Sequence, residues 1–407
     1  MQSSKVTIIN DPIYGFITIP NGVLFDLIQH KYFQRLRRIT QMGLSYLVYP
    51  GAHHTRFQHA IGCLGVMQKA LKVLVDKGVV ISEAEQEAVL IAILLHDIGH
   101  GPFSHAMEHS IVDGVSHEDI STLFMEALNE EFNGSLTLAI QIFEGSYHRS
   151  FLNQLVSGQL DMDRTDYLKR DSFYTGMAEG NINTERIVAM LNVKDDHLVV
   201  EEKGVYTVEK FLVARRLMYW QVYLHKTGIV AEQLLTRVLK RAKELSREGE
   251  ILPSSKALQF FLQNQIDSDT IKKSLDTFAQ LDDYDIISAM KEWCSHKDFV
   301  LSELSKSIIN RDLLKVKIRK KPFAPAKLAK HRSALMEQYG ITEAEANYFV
   351  ITGTISNQAY NYKKGGINIL LSNGKIVDVV KASDQLSLKS LTKEVVKNYL
   401  CYPKPKR

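Results

Sequence analysis

Apolar positions fall at helical spacing over most of the chain. From Gly22 to Met42 they recur at intervals of three and four, and the same run carries Arg35, Arg37 and Arg38. His59 to Asp76 keeps the period, with Ile61, Leu64, Leu71 and Val75 on one side. Ser82 followed by Glu85 is a capping box, and the helix it opens, apolar through VLIAILL, runs to His96. Ser116 caps a helix starting near His117. Phe151 to about Asp171 and Val208 to about Arg247 read as two more, the second long and amphipathic, and a helical region spans about Ser255 to Ser307.

Alternation at period two is local. KVTIINDPIYGFITIP reads as two short strands around a turn at Asp11, Pro12 and Gly15, and HLVVEEKGVYTVE as a small hairpin. Arg311 to Lys321 alternates apolar and basic residues as a strand does, and INILLSNGKIVDVV is a hairpin turning at Asn373 and Gly374. Tyr46 to Gly51 reads as a short extended piece and the tail CYPKPKR as frayed. The fold class expected is mainly α, with small β-hairpins and a C-terminal α+β extension. Pro253-Ser-Ser marks a boundary, so we expect a main helical unit over 1–250, a helical extension ending in the basic strand over 251–325, and an α+β segment over 326–407.

Composition narrows the class without naming a chemistry. With 407 residues, 45% of them hydrophobic and 24% charged, the chain has the balance of an ordinary globular protein. A net charge of +4 is too small at this length to argue for nucleic acid or membrane, and it is compatible with anionic small substrates. Cys63, Cys294 and Cys401 form neither a disulfide framework nor a metal-binding spacing, which points to a reducing, cytoplasmic setting. No apolar run approaches a membrane span, so no membrane partner is expected.

Histidine is the outlier: of 14, eight lie between His53 and His117. A lone histidine is usually a surface or satisfied core residue, but eight in one segment, with Asp97 and Glu118 beside two of them, reverse those odds. The segment LLHDIGHGPFSHAMEH places His96 and Asp97 where a buried helix is broken by Gly99, Gly101 and Pro102. An imidazole beside a carboxylate offers a cation two ligands at once. His59 is a candidate third ligand. A further one lies among Asp161, Asp163, Asp166 and Asp171, and helical spacing alone does not choose among these. Nitrogen and oxygen ligands suit a divalent Fe, Mn, Ni, Co or Zn ion, or Mg. His100, His105 and His117 suit proton transfer, with Glu108 and Glu118 as candidate orienting carboxylates.

INDPIYG, FQRLRRITQMG, YPGAHHTRFQHAIG, LLHDIGHGPFSH, the His117-Glu118 pair, DMDRTDYLKRD and YLHKTG occur in an order that resembles the HD-domain phosphohydrolases. The resemblance is closest to the SAM-and-HD-domain deoxynucleoside triphosphate triphosphohydrolases and their bacterial relatives, without the SAM domain. It covers roughly the first 230 residues, and implies that 1–250 is an HD catalytic domain. The resemblance implies a metal set of His59, His96, Asp97 and Asp163. It implies catalytic roles for His100, His105 and His117, with His105 as proton donor to the leaving deoxynucleoside oxygen and Glu108 as an orienting carboxylate. Phosphate contacts carry over to Arg56, Arg164, Tyr167 and Arg215, and deoxyribose contacts to Gln41, Asp171 and Tyr223. The implied reaction is hydrolysis of a dNTP at the α-phosphorus, giving deoxynucleoside and inorganic triphosphate.

Relatives are often oligomers bridged by effector nucleotides. Gln34, Arg37, Arg186, Lys203, Arg311 and Lys315 match effector positions, whereas Thr7 and Gln29 replace a lysine and a guanine-reading aspartate. A homo-oligomer with an effector nucleotide is the implied assembly, although a charged edge strand accounts equally well for Arg311 and Lys315. The alternatives are an HD-type phosphomonoesterase or cyclic-nucleotide phosphodiesterase and, from another class, a regulator that binds nucleotides or nucleic acid through the basic stretch Lys315 to Arg332. The last ranks lowest because binding alone has no need of a metal set.

Overall fold

The computed structural model describes residues 6–108, 110–112, 114–362, 365–384 and 388–404, the side chains of Ser104 and His105 excepted. An N-terminal hairpin, β1 (Thr7–Asp11) and β2 (Gly15–Ile19), leads into α1 (Val23–Gln29), α2 (Lys31–Gln34) and a 3-10 turn over Arg35–Arg38. α3 (Arg56–Asp76) and α4 (Glu83–Leu95) form the centre. Around them lie α5 (Ser104–Glu108), α6 (His117–Glu131), α7 (Thr137–Glu144), α8 (Ser150–Val156), α9 (Met162–Thr175) and α10 (Thr184–Ala189). The hairpin of β3 (Leu191–Lys194) and β4 (His197–Glu201) precedes α11 (Val205–Met218), a π-helical turn at Tyr219–Tyr223, and α12 (Lys226–Arg247).

Five more helices follow: α13 (Lys256–Gln263), α14 (Ser268–Lys273), α15 (Leu275–Phe278), α16 (Asp283–Trp293) and α17 (Phe299–Ile309). Then come β5 (Lys315–Arg319), α18 (Pro325–Tyr339), α19 (Glu343–Ala346), β6 (Ile351–Asn357), β7 (Asn368–Leu370), β8 (Ile376–Asp378), α20 (Val379–Ala382), α21 (Leu388–Leu391) and β9 (Val395–Tyr402). The fold is thus mainly α with small β elements, as its periodicity predicts.

Local chemistry sets the helix starts that matter for the site. Thr55 and Gln58 form a capping box that fixes the first turn of α3, where Arg56 and His59 lie. Ser82 and Glu85 do the same for α4, and Ser116 with Asp119 for α6. Two expected helices are broken. Buried Asp161 accepts from the N–H groups of Gly158 and Arg164, which ends the α8 stretch and starts α9 afresh. The long helix expected over Val208–Arg247 unwinds at Leu224, after the π turn, and His225 caps its second half.

Three other expectations need correction. Tyr46–Gly51 is not extended: a 3-10 turn covers Gly43–Leu47 and irregular turns follow. The β4 strand pairs with β3 upstream, while KGVYTVE of the expected hairpin enters α11. Cys401 and Tyr402 are not frayed but buried in β9.

The sheets lie at the edges of the helical body. β3, β4, β7 and β8 form one in that order, with β4 and β7 parallel; β5, β9 and β6 form another, all antiparallel, with basic β5 at an edge. Buried apolar residues from Ile17 to Tyr402 form one continuous cluster that crosses both expected boundaries. No described helix is long and apolar enough to cross a membrane.

Candidate metal centre and active site

Three helices aim at one point. His59 comes from α3, His96 closes α4, Asp97 follows it in the loop, and Asp163 lies on the first turn of α9. His59 Nε2 is 3.2 Å from Asp163 Oδ1 and 3.8 Å from Asp97 Oδ2; His96 Nε2 is 3.6 Å from Asp163 Oδ1 and 3.5 Å from Asp97 Oδ1. Each imidazole has its other nitrogen engaged. His59 Nδ1 meets Asp166 Oδ2 at 2.7 Å, and His96 Nδ1 meets the Ile93 carbonyl at 2.7 Å.

Both partners can only accept, so both Nδ1 atoms donate and each Nε2 is left facing carboxylates, which raise both rings against their burial. His96 Nε2 is buried without a hydrogen-bond partner. Two imidazole nitrogens and two carboxylates converging on one point fit a divalent ion with nitrogen and oxygen ligands, which would take the place of the ring protons. His59, His96, Asp163 and Cys63 offer atoms within 4.8 Å of one another. Burial pushes the Cys63 thiol far up, which leaves it a neutral group against the His59 ring. Asp97 stands slightly back, because Arg56 Nη1 at 2.6 Å and His100 Nε2 at 3.2 Å share it.

Electrostatics at the centre favour ionised carboxylates. Burial opposes the charge on Asp163, but His59 and His96 outweigh it and hold the group well below the usual range. Asp97 is likewise held down by His96, His100 and Arg56 against its burial.

The second group lies beside it. His100 and His117 stack with centroids 3.9 Å apart, and His117 Nδ1 bonds Glu108 Oε1 at 2.8 Å. Burial, then the Arg56 charge, lower His100 to about 3. Its carbonyl accepts from Arg35 Nη1 at 2.8 Å and Nη2 at 2.7 Å. Glu118 is exposed on the first turn of α6, next to His117. The His105 side chain lies outside the described residues.

Gln41, Asp171, Tyr167, Tyr223 and the arginines line the same region. Tyr223 donates to Asp171 Oδ2 at 2.7 Å, and Asp171 Oδ1 meets His54 Nε2 at 2.7 Å. The Tyr167 and Tyr223 rings meet edge to face, 6.0 Å apart. Burial pushes both phenols well above their usual value, so they stay neutral donors. The Gln41 backbone is tied to the His54 carbonyl at 2.9 Å, and its side-chain Oε1 is buried without a partner. Arg56, Arg164 and Arg215 each leave Nε buried and unpaired. Arg164 is anchored by Asp161, which raises its pKa further, and Arg215 Nη1 lies 3.3 Å from Gln159 Oε1.

Four of the residues matched to effector positions form two separate pairs, and Arg311 and Lys315 stand apart from both. Arg37 bonds Gln34 at 2.8 Å, Arg186 bonds the Lys203 carbonyl at 3.2 Å, and Arg311 bonds the Leu47 carbonyl at 2.8 Å. Lys315 is exposed on β5. Among the described residues no hydrogen bond joins these pairs to one another.

Sequence reasoning passed over His54, Arg35 and Gln159. The doublet His53-His54 was a signal for the first and the basic run around Arg35 for the second, although the partner of Arg35 lies 65 residues away; nothing local marks Gln159, whose partner lies 56 residues away.

A helical body holding an H…HD…D donor set defines a metal-dependent phosphohydrolase of the HD class. Residues 56–170 match the HD domain model and residues 182–257 the HD associated region. The chain belongs to the HD-domain phosphohydrolase family. It is 52% identical to a phosphohydrolase of known crystal structure from Bacteroides thetaiotaomicron, with a TM-score of 0.95 over 98% of this chain and 100% of that one. The uncharacterized protein YwfO of Bacillus subtilis is 30% identical over 394 residues, 93% of this chain and 88% of that one. A deoxynucleoside triphosphate triphosphohydrolase SAMHD1 homolog from Dictyostelium discoideum is 32% identical over 275 residues, 63% of this chain and 52% of that one, so the chain spans about half of that relative.

Proposed function

We propose that the protein hydrolyses deoxynucleoside triphosphates to deoxynucleoside and inorganic triphosphate. The observation that carries this reading is the convergence of three guanidiniums on the metal centre: Arg56 on Asp97, and Arg164 and Arg215 both against Tyr167, which also feels Asp163. A phosphomonoester or cyclic diester calls for less positive charge than a triphosphate. His59, His96, Asp97 and Asp163 would hold a divalent cation, which would supply a Lewis acid at the phosphoryl group. The arginines bind and orient the triphosphate chain, and Tyr167 donates to it.

Asp171, already braced by His54 and Tyr223, has lone pairs left to accept from a sugar hydroxyl. The Gln41 amide donates an N–H to the oxygen of that same hydroxyl, and the Tyr223 ring packs where a ribose 2′-hydroxyl would need room. Glu108 orients His117 over His100, and His105 delivers the proton that the leaving 5′-oxygen takes up. An effector nucleotide would need more than one of the basic pairs; two copies of the chain could bring them together.

The test is a panel of the four dNTPs with Mn²⁺ or Mg²⁺, with and without mixed nucleotides, reading triphosphate release. Triphosphate is expected from at least one dNTP and not from cyclic or monophosphate substrates. Release of orthophosphate from monoesters instead, or no product from any dNTP with metal bound, would overturn the reading.

A further inference from the structure

The helix α9 carries an acidic residue on each side of one imidazole. Asp163 faces His59 Nε2, and Asp166, one turn later on the same face, meets Nδ1 at 2.7 Å. The two are therefore not interchangeable. Asp163 looks into the metal centre, whereas both oxygens of Asp166 are taken up behind the ring. Arg170 grips it from the next turn, Nε to Oδ2 at 2.8 Å and Nη2 to Oδ1 at 2.9 Å. Arg170 Nη1 then reaches Asp11 Oδ2 at 2.8 Å, and Asp11 Oδ1 accepts from the N–H groups of Ile13 at 2.9 Å and Tyr14 at 3.0 Å. The Asp166, Arg170 and His59 side chains are fully enclosed, and Asp11 nearly so.

We propose that Asp166 is the positioning residue of the metal centre: clamped by Arg170 and Asp11, it fixes the ring and tautomer of His59 so that Nε2 is presented to the cation. The proposal rests on the metal centre in the functional reading above but not on the substrate.

Three observations support it. The buried array holds two carboxylates and one guanidinium, so a surplus negative charge lies against the His59 Nδ1–H, where it makes Nε2 a better donor. The array is also seated by the backbone of α3. A Cβ at Gly62, one turn after His59, would lie 2.1 Å from Arg170 Nη2 and 2.2 Å from Asp166 Oδ1. Gly62 has ordinary helical backbone geometry, so its lack of a side chain serves the clamp and not a turn. Finally, the clamp begins in the turn between β1 and β2, which ties the ring to an element far from the metal in sequence.

Mn²⁺ affinity, measured by the EPR signal of the free ion, and the visible spectrum of the Co²⁺ form test this without recourse to turnover. Asp166→Asn keeps the shape and an acceptor for Nδ1–H but removes the charge. It is expected to weaken Mn²⁺ binding by about 10–100-fold and to shift the Co²⁺ bands, with far-UV circular dichroism unchanged. Wild-type affinity in a folded Asp166→Asn protein would overturn the proposal and leave the metal centre standing. Failure of the wild type to bind Mn²⁺ or Co²⁺ would remove both. If Asp166→Asn does not fold, Asp11→Asn reads the same quantity from the outer end of the clamp: a weaker affinity supports the proposal, and an unchanged one overturns it.

Discussion

Arg35→Met separates what one buried arginine does for stability from what it does for the active site. Arg35 is fully buried, with no carboxylate among its hydrogen-bond partners. Burial, then the Arg38 and Arg56 charges, draw its pKa from 12.5 to about 9. Keeping it charged at neutral pH therefore costs on the order of 5 kcal/mol. The sign follows from a depressed folded value: the cost is borne in full below about pH 9 and is relieved only as pH rises toward 12.5.

Two charge-assisted bonds to the His100 carbonyl, about 1.5–3 kcal/mol each, keep that net penalty from being larger. The faces of Phe124 and Phe278, 5.3 and 5.2 Å from the guanidinium, add about 1–2 kcal/mol together. Methionine fills a similar volume and removes the charge, at a cost of about 1–3 kcal/mol for the orphaned carbonyl. Urea denaturation should place the variant within about 2 kcal/mol of wild type. Turnover should nevertheless fall by about tenfold or more, because the turn carrying His100 loses its anchor. A folded variant with unimpaired turnover, or one destabilised by well over 4 kcal/mol, would refute this reasoning.

Asp283, at the start of α16, accepts from the Thr40 N–H and hydroxyl and from the Phe103 N–H, so the helical extension holds the chain beside both Gln41 and the HD loop. Burial pushes its carboxyl up to about 6. Stability from this group is thus full below the unfolded value near 3.8 and is lost as pH rises through 6; Asp283→Asn should flatten that stretch of the pH–stability curve, by on the order of 3 kcal/mol. An unchanged slope in urea titrations across pH 4–7 would count against it. Gln41→Leu deletes an amide oxygen that is already unpaired, so Tm should hold while KM for the best dNTP rises about tenfold; an unchanged KM would remove Gln41 from the sugar contacts.

Much of this was legible in the sequence because it depends on near neighbours. The capping boxes at Ser82 and Ser116, the Asn373-Gly374 turn and the histidine density are all local. What was hidden depends on distant partners. Helical spacing left Asp161, Asp163, Asp166 and Asp171 equivalent. Folding gives them four environments: a helix cap, a site facing two imidazoles, a clamp behind one of them, and a pocket with His54 and Tyr223. The breaks at Asp161 and Leu224 escaped periodicity because apolar spacing continues through both; a buried cap made one, and the other follows a π turn that presents Tyr219 and Tyr223.

The parallel pairing of β4 with β7 has a practical corollary. Val199, Val200 and Glu201 are matched by Asn368, Ile369 and Leu370 from the far end of the chain, and Ser383 bonds Glu209 on α11, the helix that bears Arg215. A fragment cut at residue 250 would retain every proposed metal ligand yet leave β4 with a bare backbone edge, open to strand addition by other molecules. The stretch that carries the chemistry is therefore a poor excision product, and transplanting it into another scaffold would require a substitute strand as well as the ligands.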